Sequence, residues 1–489
     1  MTSNNATTAS IRASLLAGLS ALTAGLVGCA AHAPPKVDQA GAPVAWQSQV
    51  QASTPTSGTP WRIARPDDVA DKGPWWQLFQ DDTLNGLQQQ ALSASPTLMA
   101  ASARWRQARD LADISGASRL PRVDVGSRGT RTSANRPAAT SGGQAVSSIQ
   151  NDIVLNGTVS YELDLFGRLQ YDQQAALAFE QQAQADLLNV RLVLSADLAA
   201  YYFSVRATDA EIAVVQQGLD AQNRAFQLLT ARYEGGASSR LDVSQQQALL
   251  DGTLTQLTLL KKQRLQLEHA LATLTGTPAS TFKLVPASLP GWTPSVPVAL
   301  PSDVLQRRPD VASAERAVAV ANAQAGVASA AWFPSITLGA SGGWEARDIA
   351  KLIDAPSLLW AVGGSMAQTV FDGGRTRARE DQARAGHELA LANYRQTVLR
   401  ALQEVEDGLS SLNALDTAQT QSQAAAQSAQ KVLDIAQARY AGGLATYLDV
   451  VTAQQNVLNN QRLSSQLRGQ QLQATSYLIK ALGGGWQAL

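Results

Sequence analysis

Apolar and polar residues alternate strictly over one stretch of the chain. Ile153, Leu155, Val159, Tyr161, Leu163 and Leu165 interleave with Asn156, Thr158, Ser160, Glu162 and Asp164. A period of two over about thirteen residues predicts a strand with one apolar and one polar face. That alternation suits a strand of a membrane barrel, and equally a half-buried strand of a soluble sheet. Two later stretches repeat it. In "SITLGASGGW", Ile336, Leu338, Ala340 and Trp344 share a face; in "LLWAVGGSMAQTVF", Trp360, Val362, Met366 and Val370 do.

A different period governs most of the rest. Val398, Leu402, Val405, Leu409, Leu412 and Leu415 recur at three- and four-residue steps, the mark of a helix. From Arg375 to Tyr440 there is no proline, and glycine occurs only at Gly386 and Gly408. Such a helix would be a rod of roughly 100 Å. Leu169 to Tyr233 predicts a second one. Helices about half as long are predicted at Thr83–Gly116, Leu241–Thr275, Ser302–Ala331 and Leu448–Leu482. Two short helices end to end match one long one. Alanine and small residues, as in "TAQTQSQAAAQSAQ", spread beyond one stripe. A helix in the wall of a tube needs two seams, whereas a dimeric coiled coil needs one.

The chain repeats itself. "ARYEGGASSRLDVSQ" at Ala231 returns as "ARYAGGLATYLDVVTAQ" at Ala438, so Arg232 and Arg439 lie 207 residues apart, as do Asp242 and Asp449. Arg168 in "LFGRLQ" aligns with Arg375 in "DGGRTR" at the same offset. Further upstream the offset is 213, pairing Pro121 with Pro334 and Pro96 with Pro309. The polar stretch "GTRTSANRPAATSGGQAVSS" reads as a longer loop that absorbs the difference. Each copy reads helix, strand, loop, strand, long helix, turn, helix. The glycine pairs Gly235-Gly236 and Gly442-Gly443 are expected to stop the long helices with positive φ. Asp242 and Asp449 sit where a carboxylate suits the N-terminus of the returning helix. Four strands in one chain leave open edges, and no four-stranded barrel spans a bilayer. Oligomerisation that pools strands into one barrel and helices into one tube resolves this.

Composition narrows the function. Lysine plus arginine and aspartate plus glutamate number 39 each, which gives no general pull toward nucleic acid. Three histidines and one cysteine exclude an internal disulfide and argue against a metal cluster or cofactor. No nucleophile motif or phosphate loop points to an enzyme. The lone Cys29 ends "ASLLAGLSALTAGLVGC", an uncharged stretch too short for a bilayer span and suited to an export signal. The segment that follows, rich in Pro, Ala, Gln, Ser and Thr, reads as a tether. The domain plan is a signal peptide at 1–28, a tether at 29–79, a first repeat at 80–275, a linker at 276–301, a second repeat at 302–482 and an end at 483–489.

"LVGC" resembles the bacterial lipobox, in which the cysteine is lipidated. With "WWQLFQDDTLNGL", "YELDLFGR", "QRRPDV", "FDGGRTRAR", both "RY-x-GG" turns and "KALGGGW", nearly the whole mature chain resembles the TolC-like outer-membrane factors, lipoprotein branch (OprM/NodT type). The resemblance implies a mainly α protomer forming a homotrimer. A twelve-stranded β-barrel would lie in outer-membrane lipid, and a twelve-helix α-barrel would cross the periplasm. It implies the passive exit channel of a tripartite efflux pump, served by a periplasmic adaptor and an inner-membrane RND transporter. It further implies a periplasmic gate at the turns. Asp242 and Tyr440 match a link between hairpins, Asp449 an acidic ring, and Leu448 a plugging leucine. Thr452 and Ala445 depart from the family pattern, and Arg240 is a candidate replacement for a linking arginine. A type I protein-secretion channel and a non-pore structural lipoprotein are the alternatives.

Overall fold

In a computed structural model, residues 46–47, 73–136, 146–290, 293–294 and 301–484 are described. The first half contains α1 (Asp82–Ala94), α2 (Pro96–Ala117), β1 (Arg122–Arg136), β2 (Val146–Leu163), α3 (Arg168–Glu234) and α4 (Arg240–Leu274). The second contains α5 (Pro301–Arg307), α6 (Pro309–Ala330), β3 (Ser335–Ala346), β4 (Leu358–Ala367), α7 (Arg375–Ala441) and α8 (Tyr447–Ala481). Helices α3 and α7 have 67 residues each, about 100 Å of rod. Helices α4 and α8 have 35 each.

A helix of that length needs neighbours along its whole side. For α3 they are α2 and α6 along its first half, where Ser115 donates to Asp172 at 2.5 Å and Ser313 to Asp186 at 2.6 Å. Along its second half they are α4 and α8, where Gly218 admits the Leu458 side chain. Each opening helix, read from sequence as continuous, is broken instead. Ser95 (ψ 121°) and Arg308 (ψ 122°) are extended because a following proline disfavours the helical region. Pro96 and Pro309 then start α2 and α6, where a missing N–H costs nothing.

Both breaks are met by the end of a returning helix. Gly276 (φ +70°) follows α4 and Gly483 (φ +88°) follows α8, again 207 residues apart. A Cβ on Gly276 would collide with the Ala94 carbonyl oxygen, and one on Gly483 would sit 2.8 Å from the Arg307 oxygen. The two end-to-end junctions therefore share one design. At the second, Arg308 donates to the Ala481 carbonyl at 2.9 Å and to Asp310 and Glu404 at 2.7 Å each. Around the first lies the largest core, where Phe79, Leu84, Leu198, Tyr202, Phe203 and Leu271 are buried.

Trp75–Phe79, assigned by sequence to the tether, is a buried 3-10 turn in that core. Its tryptophans are too apolar for a tether: Trp75 and Trp76 are buried, and Trp75 Nε1 donates to Ser195 at 3.2 Å. Gln47 is also fastened, its N–H donating to Glu406 at 2.6 Å. Leu284, Val285, Pro290 and Thr293 are held by three arginines. Arg264 donates to the Leu284 carbonyl and to Asp209 and Glu268, at 2.6 Å each. Arg206 donates to the Val285 carbonyl at 2.7 Å, and Arg468 to Thr293 at 2.7 Å.

The four strands form one antiparallel sheet in the order β1-β2-β3-β4. Register places the apolar set on one face: Val123 opposite Val159, Leu155 opposite Trp344, Tyr161 opposite Leu338, and Ala340 opposite Val362. The other face carries Asp124, Asn156, Thr158, Ser341 and Thr337. Gly129–Arg136, read from sequence as loop, is strand. Its polar side chains hide the alternation, but its backbone is paired throughout with β2. Strand β4 stops at Ala367, short of the expected Phe371. No described helix is long and apolar enough to cross a membrane.

The junctions generate a stability prediction. Gly276→Ala and Gly483→Ala should each cost about 1–3 kcal/mol, because left-handed strain adds to the collision. Gly252→Ala, where a Cβ meets nothing within 4 Å on an exposed helical surface, should be neutral or mildly stabilising. Thermal unfolding of the purified protein checks the contrast.

Candidate functional site: the helix tips

The ends of α3 and α7 are closed by the same backbone device. Gly235 and Gly442 keep ordinary negative φ (−81° and −84°), and only Gly236 (+72°) and Gly443 (+70°) are left-handed. The expectation that both glycines of each pair are left-handed is corrected on this point. Ala237 N–H donates to the Arg232 carbonyl at 2.7 Å, and Gly236 N–H to the Tyr233 carbonyl at 3.0 Å. Leu444 and Gly443 repeat both bonds onto Arg439 and Tyr440 at 2.8 and 3.0 Å. This is a Schellman closure, which needs one positive φ at the second position.

The returning helices start with carboxylates. Asp242 N–H donates to Ser239 Oγ at 3.1 Å, while Asp242 Oδ2 accepts from Ser239 N–H at 3.4 Å. This reciprocal pair is a capping box, which contributes about 1 kcal/mol. Asp449 Oδ2 accepts from the Thr446 N–H and hydroxyl, both at 2.9 Å. Both aspartates are thus helix-start residues.

Asp242 does more. Its Oδ2 also accepts from the Tyr440 hydroxyl at 3.3 Å, which ties the start of α4 to the end of α7. Tyr440 stands edge-on to Tyr447, ring centroids 5.0 Å apart. Tyr447 is buried, and its hydroxyl donates to Gln246 Oε1 at 2.8 Å. Gln246 is fully buried and donates to the Gln222 carbonyl at 2.8 Å. Leu229, Val450, Val243 and Leu433 seal the cluster. Burial, then the neighbouring Tyr440 and Asp242, pushes the Tyr447 phenol up to about 12. Farther from the tips, Arg462 of α8 donates to Glu211 of α3 at 3.3 Å, a further bond between the two hairpins.

The sequence-predicted residues therefore divide. Asp242 and Tyr440 are brought together. Asp449 lies on its own turn, exposed. Leu448 is 54% exposed at the start of α8. Arg240 is exposed and makes no hydrogen bond or ion pair among the described residues. Cys29 lies outside the described residues. The Tyr447–Gln246–Gln222 chain was missed. One signal marked it: the 207 offset aligns Tyr447 with Arg240 and Gln246 with Ala453, so the repeat fails where the link is made.

Known proteins match this architecture. The family model for outer membrane efflux proteins fits residues 87–277 and again 300–484. The chain belongs to the outer membrane efflux protein family. Among relatives of this family, the pyoverdine export outer membrane protein OpmQ of Pseudomonas aeruginosa is 34% identical over 436 residues, 88% of this chain and 91% of that protein. The toluene efflux pump outer membrane protein TtgF of Pseudomonas putida is 31% identical over 471 residues, 95% and 96% of the two chains. The solved outer-membrane channel OprN superposes with a TM-score of 0.81 at 28% identity, over 92% of this chain and 98% of that one. VceC from Vibrio cholerae does so at 0.76 and 30%, over 84% and 98%.

The tip cluster predicts unequal roles for its two phenols. Tyr447→Phe strands the Gln246 oxygen in a buried site and should cost about 1–3 kcal/mol. Tyr440→Phe should cost less, because Asp242 keeps its capping bonds. Hydrogen exchange of the tip amides reads both. The raised phenol adds a pH signature: its stabilisation is complete below pH 10 and is lost as pH climbs from there toward about 12. Burial also raises the phenols of Tyr202, Tyr394 and Tyr477, so phenolate absorbance should show several late-titrating tyrosines, one fewer in Tyr447→Phe.

Proposed function

We propose that the chain is the outer-membrane exit channel of a tripartite efflux pump, working as a passive homotrimer without a catalytic step or cofactor. The observation that carries this reading is the sheet. Its apolar face is open, with Val125, Trp360 and Val362 each more than three-quarters exposed. Every residue of β4, an edge strand, is exposed as well. An open apolar face with two unpaired edges is unstable in water and is satisfied by lipid on the face and by neighbouring strands at the edges. Three chains supply twelve strands, enough for a closed barrel. Their twelve long or stacked helices continue it as a tube, and the tips ring the far mouth.

At that mouth Asp242 and Tyr440 hold adjacent hairpins together, Leu448 projects at the rim, and Asp449 adds a ring of carboxylates. Partner proteins that bind an open arrangement better than the closed one would shift the equilibrium toward conduction. A periplasmic adaptor and an inner-membrane RND transporter fit that role. Small organic compounds fit as cargo, since pyoverdine and toluene appear in the names of relatives. Those names favour small-molecule efflux over protein secretion. A structural spacer has no use for the exposed apolar sheet. Cys29 would add a lipid anchor to the outer membrane.

Light scattering of detergent-solubilised protein should give a trimer mass, and planar bilayers should show ion conductance. A stable monomer, or a trimer that does not conduct, refutes the channel. Asp242→Ala with Tyr440→Ala should raise conductance severalfold, since charged hydrogen bonds contribute about 1–3 kcal/mol each and recur three times. A separate measurement addresses the anchor. Cys29→Ser should abolish labelling by a radioactive fatty acid, and unchanged label would remove the anchor from the proposal.

A further inference from the structure

Where α8 ends against the start of α6, the joint encloses a cavity of about 370 Å³, flanked by α3 and α7. Its back wall is Arg308, only 5% exposed, whose donors are taken by Asp310, Glu404 and the Ala481 carbonyl. Other lining groups are not engaged in this way. Asp186 on α3 accepts from Ser313 through Oδ1, and Oδ2 is open. Arg400 on α7 and Asn189 on α3 make no hydrogen bond or ion pair among the described residues. Lys480 at the end of α8 lies 5.9 Å from the Tyr477 ring and acts on Asp197 through charge alone, without an ion pair. The joint itself does not require these charges. The 207 offset places Asn393 against Asp186, Val193 against Arg400 and Thr273 against Lys480, so the other half of the chain builds its joint without them.

Helix geometry sets which side of the wall the cavity faces. Successive residues turn by about 100°, so positions two apart point nearly opposite ways. On α7, Glu404 lines the cavity while Glu406 binds the Gln47 N–H. On α3, Val193 lines it while Ser195 binds Trp75. The cavity thus lies opposite the layer that Gln47 and the Trp75–Phe79 turn add to the long helices. In the tube proposed above, twelve helices enclose a bore of roughly 30 Å, which three such layers would obstruct if they lay inside. The layer is therefore on the outside, and the cavity opens on the bore.

Three cations and three carboxylates line the cavity, so neither a plain anion nor a plain cation is matched. With Arg308 engaged, Arg400 and Lys480 on α7 and α8 remain to hold a negative group, and Asp186 on α3 remains to hold a positive one. The volume is at the low end of the range for small-molecule pockets. We propose that this cavity is a binding site for small zwitterions passing along the bore, with their carboxylate on Arg400 and Lys480 and their ammonium on Asp186. This rests on the channel reading above and names a class of cargo that the duct contacts. Arg400 and Asp186 are exposed, so each contact is screened and weak. A zwitterion is retained briefly and released, as passive flow requires.

The test uses the full-length protein and three probes on one skeleton: the dipeptide alanyl-phenylalanine, its N-acetyl form, which keeps only the negative charge, and its C-terminal amide, which keeps only the positive one. Calorimetric titration of the protein in detergent should show the free dipeptide binding about tenfold more tightly than either blocked form, the factor that one charged hydrogen bond confers. Arg400→Gln should erase the preference over the amide, and Asp186→Asn, which keeps an acceptor for Ser313, should erase the preference over the N-acetyl form. Arg400→Glu should turn the preference toward the amide, a gain that misfolding cannot produce. In bilayers the free dipeptide should cause brief blockades of the wild-type current. Equal binding of the three probes, or preferences unchanged in the variants, overturns the site, and a conducting trimer then leaves the channel reading standing. Binding without blockade in a conducting trimer overturns its place on the bore. A protein that neither trimerises nor conducts removes the channel reading and the role in cargo passage with it, while the titration still decides whether the cavity binds zwitterions.

Discussion

A helix about 100 Å long cannot stand alone in water, because its small-residue surfaces contribute little until they are covered on more than one side. This chain covers each long helix with two short ones laid end to end. The joint is the demanding part, since a helix C-terminus and a helix N-terminus must abut without leaving backbone groups buried and unpaired. Proline opens one side without a donor to satisfy. A left-handed glycine closes the other and approaches the carbonyl of the facing residue too closely for any side chain. Because the joint recurs at Pro96/Gly276 and Pro309/Gly483, both halves of the chain have the same length above and below it. The strands are thereby all collected at one end of the helices and the turns at the other.

Much of this was legible in the sequence, for a definite reason. Periodicity survives in elements that have one buried face, so the alternating β2 and the three-four steps of α7 declare themselves. The repeat located both tips without any structural knowledge. What stayed hidden depends on contacts between distant segments. A proline inside a long apolar pattern reads as a blemish in one helix until the returning helix is seen to stop against it. Gly129–Arg136 carries arginine and serine where a strand pattern would show valine, and only its pairing with β2 reveals it. The turn glycines looked equivalent within each pair, whereas the closure uses positive φ at the second one alone. Tyr447 and Gln246 are 201 residues apart, and nothing local announces their bond.

The tips also show how far a capping explanation reaches. Asp242 and Asp449 both begin returning helices, and either would be placed there for that reason alone. The structure separates them through their second contacts. One oxygen of Asp242 is shared between its own turn and Tyr440 of the other hairpin. Among the described residues, Asp449 bonds only its own turn. The same residue at the same backbone position has thus acquired two environments, and the difference was introduced by its neighbours: tyrosine at 447 against arginine at 240.

A ring built from six identical hairpins would have six identical seams. Every substitution that loosened one would loosen all, and the closed state would be either held everywhere or lost everywhere. Duplication within one chain removes that constraint. Within the chain one seam is formed as the chain folds, and it is aromatic and buried. In the trimer proposed above, the seams between chains form only on assembly and bring together a different set of side chains. The departures from the repeat at the tips, Tyr447 against Arg240 and Gln246 against Ala453, are what make the two kinds of seam unequal.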